Sequence, residues 1–122
     1  MFLQGLINEK LEPIVENIFA IGRGENIPLE AILDTGFNGM FCLPKKYQEQ
    51  CELSTLGLET FELADGSYVE EELYVGQILL NDIPYFVEMI LTGSDQALLG
   101  MQLLENKVAT FDLKRMRIEV TD

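Results

Sequence analysis

Along this chain the apolar residues come in short runs separated by turn-formers, which is the pattern of many short strands. Residues 2–8 are largely apolar and predict a terminal strand. Ile14 to Ile21 alternates loosely through Ile14, Val15, Ile18, Phe19 and Ile21. Gly22-Arg23-Gly24-Glu25-Asn26 then reads as a hairpin turn, because Gly and Asn tolerate positive φ. It resembles the start of a GxGxxG phosphate loop, but Ile27 takes the final glycine position and no helix follows. Residues 27–33 predict the next strand, and Pro44 to Cys51 a short helix with proline at its first turn. Leu56 to Leu63 and Tyr68 to Leu80 predict two arms of a hairpin around Asp65-Gly66-Ser67, since Asp-Gly between strand-like runs is a strong hairpin signal. Asn81-Asp82 marks another turn before a strand over Tyr85 to Leu91. After a short apolar segment, Gln96 to Gly100, comes a helical turn or two over Met101 to Asn106. Strands over Val108 to Leu113 and Met116 to Val120 close the chain. The expectation is an all-β fold, a small closed barrel with one or two short helices, as a single domain over residues 1–122.

Composition narrows the chemistry. The 122 residues suffice for one real core, and 48% hydrophobic content is ordinary for a globular chain. A net charge of −13 repels phosphate backbones and anionic lipid, so neither nucleic acid nor a membrane surface is expected as partner. There is no histidine, so no Ser-His-Asp triad, Cys-His pair or HExxH zinc site can be built from this chain alone. Acid–base work falls instead to carboxylates, Lys, Tyr or Cys. Cys42, in an apolar run, reads as a small buried hydrophobe. Cys51 sits among Gln48, Glu49, Gln50 and Glu52, and neither thiol is expected to be catalytic. Glu70-Glu71-Glu72 reads as a solvated strand rather than a metal site, because neighbours on a strand point to opposite faces. No metal and no cofactor are expected. The first ten residues lack the basic start and apolar run of a signal peptide, and no apolar stretch reaches membrane-span length, which predicts a cytoplasmic protein.

The stretch AILDTGFNGMFCLP, residues 31–44, carries the candidate chemistry. Its plain reading is a turn between two strands, since Asp and Gly are common turn residues. Its context adds more. Ala31-Ile32-Leu33 has no polar residue and reads as a strand buried on both faces, so Asp34 stands at the edge of a core. Thr35 offers a hydroxyl that both donates and accepts, and Gly36, without a Cβ, lets backbone N–H groups come close to the carboxylate.

Apolar-apolar-Asp34-Thr35-Gly36, a downstream hairpin tipped by Asp65-Gly66, and Leu98-Leu99-Gly100 before a short helix together resemble the retroviral-type (retropepsin-like) aspartic proteases. The similarity is greatest to their small bacterial and archaeal branch, in which Asp-Thr-Gly-Phe and a following Leu-Pro recur. It spans roughly residues 10–120, with the motifs in the family's order. The resemblance implies an aspartic endopeptidase acting on peptide or protein substrates. It implies that Asp34 is the catalytic aspartate, that Thr35 hydrogen-bonds across the site to a partner loop, and that Gly36 supplies backbone contacts. It implies that Ala64, Asp65, Gly66 and Ser67 form a substrate-binding flap, and that Leu98, Leu99 and Gly100 brace the catalytic loop. Ordinary core packing is the plain alternative for that last trio.

Such chemistry needs two carboxylates sharing one proton, because like charges a few ångströms apart do not both ionise cheaply. The chain carries one Asp-Thr-Gly and no Asp-Ser-Gly, and it is too short for two such lobes. An active enzyme is therefore expected to be a homodimer with one Asp34 from each chain. Two features depart from the retroviral pattern: bulky Phe37 follows the motif, and the flap is acidic. They leave room for a catalytically weak or inactive domain that binds extended peptides.

Overall fold

Twelve strands take up most of the chain, and the computed structural model describes all of residues 1–122. They are β1 (Leu3–Ile7), β2 (Pro13–Val15), β3 (Ile18–Ile21), β4 (Asn26–Pro28), β5 (Ala31–Leu33), β6 (Phe41–Pro44), β7 (Ser54–Glu62), β8 (Tyr68–Leu80), β9 (Ile83–Thr92), β10 (Ala97–Leu99), β11 (Val108–Asp112) and β12 (Arg117–Thr121). Short 3₁₀ segments at Lys45–Gln50 and Met101–Leu104 are the only helical pieces. Strand residues make up 57% of the chain, so the mostly-β expectation holds.

The closed barrel does not form. The sheet runs β11-β12-β1-β2-β5-β10-β6-β9-β8-β3-β4, with β7 paired to β8, and its two ends do not meet. Two expected continuous strands are also broken. Asn17 at φ 55° separates β2 from β3, and Leu29-Glu30 separates β4 from β5. The breaks let one long hairpin serve two parts of the sheet: β3 pairs β8, whereas β2 and β5 pair each other next to β1 and β10. The expected hairpin at Gly22–Asn26 forms between β3 and β4, but without positive φ at Gly22, Gly24 or Asn26, whereas the next turn acts as its residues suggest. Asn81 and Asp82 both take positive φ, 51° and 70°, which suits a two-residue hairpin joining Leu80 to Ile83.

A connected core of 22 buried residues lies inside the curled sheet, with Phe41, Leu3, Leu43, Ile78, Leu80, Met89 and Leu99 among its largest side chains. Each such side chain contributes on the order of 1.5–3 kcal/mol by leaving water. β6 is buried on both faces, as its unbroken apolar run demands. β5 is not: Ala31 and Leu33 are buried, but Ile32 is only half-buried and faces a surface hollow. The expectation of burial on both faces fails there because the chain itself does not cover that side.

The outer part of the β7–β8 hairpin stands clear of the core. β8 pairs β9 only from Tyr74 onward, so Tyr68–Leu73 has β7 as its one neighbour. A bulge at Leu56, with Gly57 at φ 102°, bends this arm. No helix is long and apolar enough to cross a membrane.

Candidate active site

Asp34 is positioned by strand order. β10 lies between β5, which it meets in parallel, and β6, which it meets antiparallel. The β5–β6 connection, residues 34–40, therefore crosses the end of β10 and is tied to the chain that follows it. Four backbone hydrogen bonds make the tie. Asp34 N–H donates to Leu99 O at 2.8 Å, Gly100 N–H to Met40 O at 2.9 Å, Met101 N–H to Phe37 O at 2.8 Å and Gln102 N–H to Gly39 O at 3.2 Å. Leu98 pairs with Ile32 and with Cys42, and Leu99 with Leu33 and Phe41. The Leu98-Leu99-Gly100 trio thus contacts the loop directly through its backbone.

Within the loop, Asp34 is half-buried and Thr35 and Gly36 are exposed. Gly36 N–H donates to Asp34 Oδ1 at 2.9 Å, which holds the carboxylate toward its own turn. Phe37 N–H donates to Asp34 O at 3.2 Å. The Phe37 ring then folds back over Gly39 and Gly100 and meets Phe61 of β7, with ring centroids 6.1 Å apart. Gly100 is where side-chain loss is obligatory: a Cβ there would sit 2.1 Å from Gly39 O and 2.6 Å from Phe37 Cδ2.

Between this loop and the hairpin runs a cleft of about 310 Å³, lined by Asp34, Phe37, Cys42, Phe61, Leu63, Ala64, Val69, Glu71, Ile90 and Leu98 among others. Beyond the Phe37–Phe61 contact a second chamber of about 260 Å³ continues toward Met40, Leu73 and Glu88. Phe37 therefore belongs to the cleft wall and divides it in two. Of the four flap residues expected from sequence, Ala64 reaches the cleft, while Asp65, Gly66 and Ser67 form the exposed tip. Asp65 caps its own turn: its Oδ1 accepts from Ser67 N–H at 2.9 Å and from the Ser67 hydroxyl at 2.6 Å. Those Ser67 hydrogen bonds hold the Asp65 carboxyl below its ordinary range. Gly66 at φ 86° supplies the left-handed residue that closes the turn.

The sequence reading missed Glu71 and the β9 residues Ile90, Leu91 and Thr92 as part of this cleft. The Glu70-Glu71-Glu72 run does alternate: Glu70 is exposed, whereas Glu71 is half-buried on the same face as Val69 and looks into the cleft. Alternation with Val69 and Leu73 was the available signal. Glu72 instead accepts from the Thr55 hydroxyl on the neighbouring arm.

Both thiols are buried. Cys51 is buried despite its polar neighbours in sequence, because an isolated bridge to Gly22 brings it under the sheet. Burial raises its thiol above the ordinary range, opposed in part by Arg23. Cys42 is pushed up to about 12, first by burial and then by the nearby carboxylates of Asp34 and Glu71. The sign is that of an acid kept neutral by folding. The native state is favoured below the thiol's ordinary value of 9.0, and that preference is lost as pH rises from there toward about 12. Cys42 in the folded protein is expected to resist iodoacetamide at pH 8 and to react once urea unfolds the chain. Rapid alkylation of the native thiol would contradict this environment.

On the far side of Asp34 lies a different hollow of about 530 Å³. Ile7, Leu11, Ile32, Leu98, Phe111 and Leu113 line it, and Asp34 and Thr35 stand at its rim. Asp34 thus faces both the cleft and this hollow.

No protein-family model and no curated protein matches the sequence. Solved structures do match the fold. The solution structure of simian foamy virus (mac) protease superposes with a TM-score of 0.52 at 16% identity, over 76% of this chain and 90% of that one. The foamy viral protease-reverse transcriptase, solved in complex with an RNA/DNA hybrid, gives 0.53 at 12% identity over 71% of this chain. This chain spans 11% of that protein's length. The chain has the retroviral-type, retropepsin-like aspartic protease fold.

Proposed function

We propose that this chain, with its retropepsin-like fold, is one half of a homodimeric aspartic endopeptidase built as one domain over residues 1–122. The observation that carries the reading is Asp34 on a loop strapped by four backbone hydrogen bonds to residues 99–102, under a free-standing hairpin. Asp34 and Asp34 of the partner subunit share one proton and hold a water between them. The ionised Asp34 takes a proton from that water as its oxygen bonds to the scissile carbonyl carbon. The protonated one gives its proton to the carbonyl oxygen. The tetrahedral adduct collapses as the Asp34 that took the water's proton passes it to the amide nitrogen, the other Asp34 takes a proton back from a hydroxyl of the adduct, and the C–N bond breaks, which restores the shared proton. The substrate lies extended in the cleft, and the flap tip at Ala64, Asp65, Gly66 and Ser67 closes over it and excludes water. In this reading Thr35 hydrogen-bonds to the partner's loop, a role that its exposure at the rim of the hollow supports, and Gly36 lies beside the carboxylate. The test is cleavage of an unfolded protein between mildly acidic and neutral pH, with and without Asp34→Asn.

The cleft also suggests a preference. Its lining includes Asp34, Glu62 and Glu71 and no Lys or Arg, and Glu71 takes part in none of the ion pairs. A basic side chain beside the scissile bond would satisfy Glu71. Glu71→Gln is expected to lower kcat/KM about tenfold for a lysine-containing peptide, the scale of one charge-assisted hydrogen bond. A matched peptide with norleucine should be unaffected. Equal losses on both peptides would remove Glu71 from substrate recognition.

The contact of Phe37 with Phe61 favours one second reading, a domain that grips peptides without cutting them, because it occupies the middle of the cleft. In that case the wild-type protein binds extended peptide and cleaves none.

A further inference from the structure

Two pairs in this chain set a side-chain carbonyl carbon next to a glycine nitrogen: Asn38-Gly39 in the 34–40 loop and Asp65-Gly66 at the hairpin tip. Glycine leaves its own nitrogen unshielded, because it has no Cβ. Such a nitrogen can attack the neighbouring side-chain carbonyl and close a succinimide ring.

The fold treats the two pairs differently. At the hairpin tip Gly66 N–H donates to Leu63 O at 2.9 Å. Asp65 Oδ1 accepts from Ser67 N–H and from the Ser67 hydroxyl. Those bonds keep the carboxyl ionised, and a carboxylate is a poor target for a nitrogen nucleophile. Both reacting groups are thus engaged. In the 34–40 loop neither is. Asn38 is exposed, and no hydrogen bond holds its carboxamide, whereas those of Asn8 and Asn81 are bonded to Glu12 and to Met1 O. Gly39 is buried, yet its N–H donates to no acceptor within the chain, while Gly39 O accepts from Gln102 N–H.

Packing also fixes glycine at this position. A Cβ on residue 39 would lie 2.6 Å from Phe37 Cζ, 2.8 Å from Phe37 Cε1 and 3.3 Å from Phe61 Cε1. The Phe37 ring that divides the cleft therefore requires Gly39, and Gly39 leaves Asn38 open to attack.

We propose that Asn38-Gly39 is a site of spontaneous deamidation, and that this change limits how long the cleft keeps its geometry. Gly39 N bonds to Asn38 Cγ and the Cγ–Nδ2 bond breaks. The side-chain nitrogen leaves as ammonia, carrying the proton from Gly39 N–H. Water then opens the succinimide at one of its two carbonyls. Opening at Cγ gives aspartate. Opening at the main-chain carbonyl carbon gives isoaspartate, whose backbone runs through Cβ and Cγ. Water enters, ammonia leaves, and nothing is oxidised or reduced.

Both products act on the cleft, because Asn38 lines both of its chambers. Either one puts a new carboxylate among Asp34, Glu62 and Glu71, where no Lys or Arg offsets it. Isoaspartate also lengthens the main chain between Phe37 O and Gly39 O, the two carbonyls bonded to Met101 N–H and Gln102 N–H. Their spacing then no longer matches those two amides. The loosened loop follows from the fold alone, whereas a loss of cleavage with age rests on the protease reading.

Folded wild-type protein is incubated at neutral and mildly alkaline pH, then mapped by peptide mass spectrometry with isoaspartyl methyltransferase labelling. Asn38 is expected to convert on the order of tenfold faster than any other asparagine, because it alone precedes a residue without a Cβ. Asp65 should stay unlabelled. The isoaspartyl fraction, separated by ion exchange, should lose hydrogen-exchange protection at Met101 and Gln102. Asn38→Gln, whose longer side chain closes a ring far more slowly, should keep that protection through the same incubation. Asn38 left intact in the folded protein would overturn the proposal, as would labelling of Asp65 as fast as Asn38. Unchanged protection at Met101 and Gln102 in the isoaspartyl fraction would overturn the effect on the cleft. Conversion of Asn38 with loss of that protection, in a protein that cleaves no peptide even when fresh, keeps this site and refutes the protease reading instead.

Discussion

Asp34→Asn is expected to abolish peptide cleavage, with kcat falling by at least about 10³-fold, while the protein stays folded and self-associates as before. The magnitude follows from the two roles a dyad asks of the same side chain. One copy acts as base and the other as acid, and each proton transfer is worth roughly 10²–10⁴-fold. In a homodimer one substitution removes both. The geometry makes the variant a clean probe. The side-chain oxygen that accepts from Gly36 N–H at 2.9 Å is retained in asparagine, and the backbone bond from Asp34 N–H to Leu99 O is untouched. The loop keeps its shape and loses only its ionisable group, so stability should change by no more than about 0.5–1 kcal/mol. Cleavage that survives in purified Asp34→Asn would remove Asp34 from the mechanism. A large loss of stability would show that the carboxylate serves the fold.

Gly100→Ala is expected to damage the fold and the site together. The added methyl would lie 2.1 Å from Gly39 O, 2.6 Å from Phe37 Cδ2 and 2.8 Å from Phe37 O. A side-chain clash can be relieved by a rotamer change, but two of these atoms are backbone carbonyls. Each already accepts a hydrogen bond, from Gln102 N–H and Met101 N–H respectively, so moving them breaks the ties that hold the 34–40 loop. The cost belongs at or beyond the upper end of the roughly 1–3 kcal/mol seen for overpacking, which corresponds to a fall in melting temperature of roughly 10 °C. Gly24→Ala, where an added Cβ meets nothing within 4 Å, is the control and should change stability by less than about 0.5 kcal/mol. Thermal denaturation of the two variants with wild type decides the matter. Equal melting temperatures for all three would mean that the loop is not strapped as described.

Most of the strand plan was legible because it depends on local signals. Asn81-Asp82 and Asp65-Gly66 set their hairpins through residues that accept positive φ, and that property belongs to the residues themselves. The all-apolar run of β6 announced its burial for the same reason. The breaks at Asn17 and at Leu29-Glu30 were not legible. They relieve a conflict between two distant pairings, β3 with β8 and β2 with β5, which no short window contains. The expected closed barrel failed similarly, since closure requires β11 and β4 to meet and neither carries a local mark of whether it will.

The candidate site divides along the same line. The sequence alone determined that acid–base chemistry here must do without histidine, that Asp34 sits at the end of an apolar strand, and that one chain has one such motif. Those are properties of residue type and order. Only the tertiary structure decided that β10 passes between β5 and β6, so that Gly100 lies under Phe37 and Gly39 with no room for a side chain. It also turned Glu71 into the cleft and left Ile32 facing outward beside Asp34. The physical reason is that burial and apposition are set by strands that meet across long stretches of chain, and a residue's type does not say which strand will cover it.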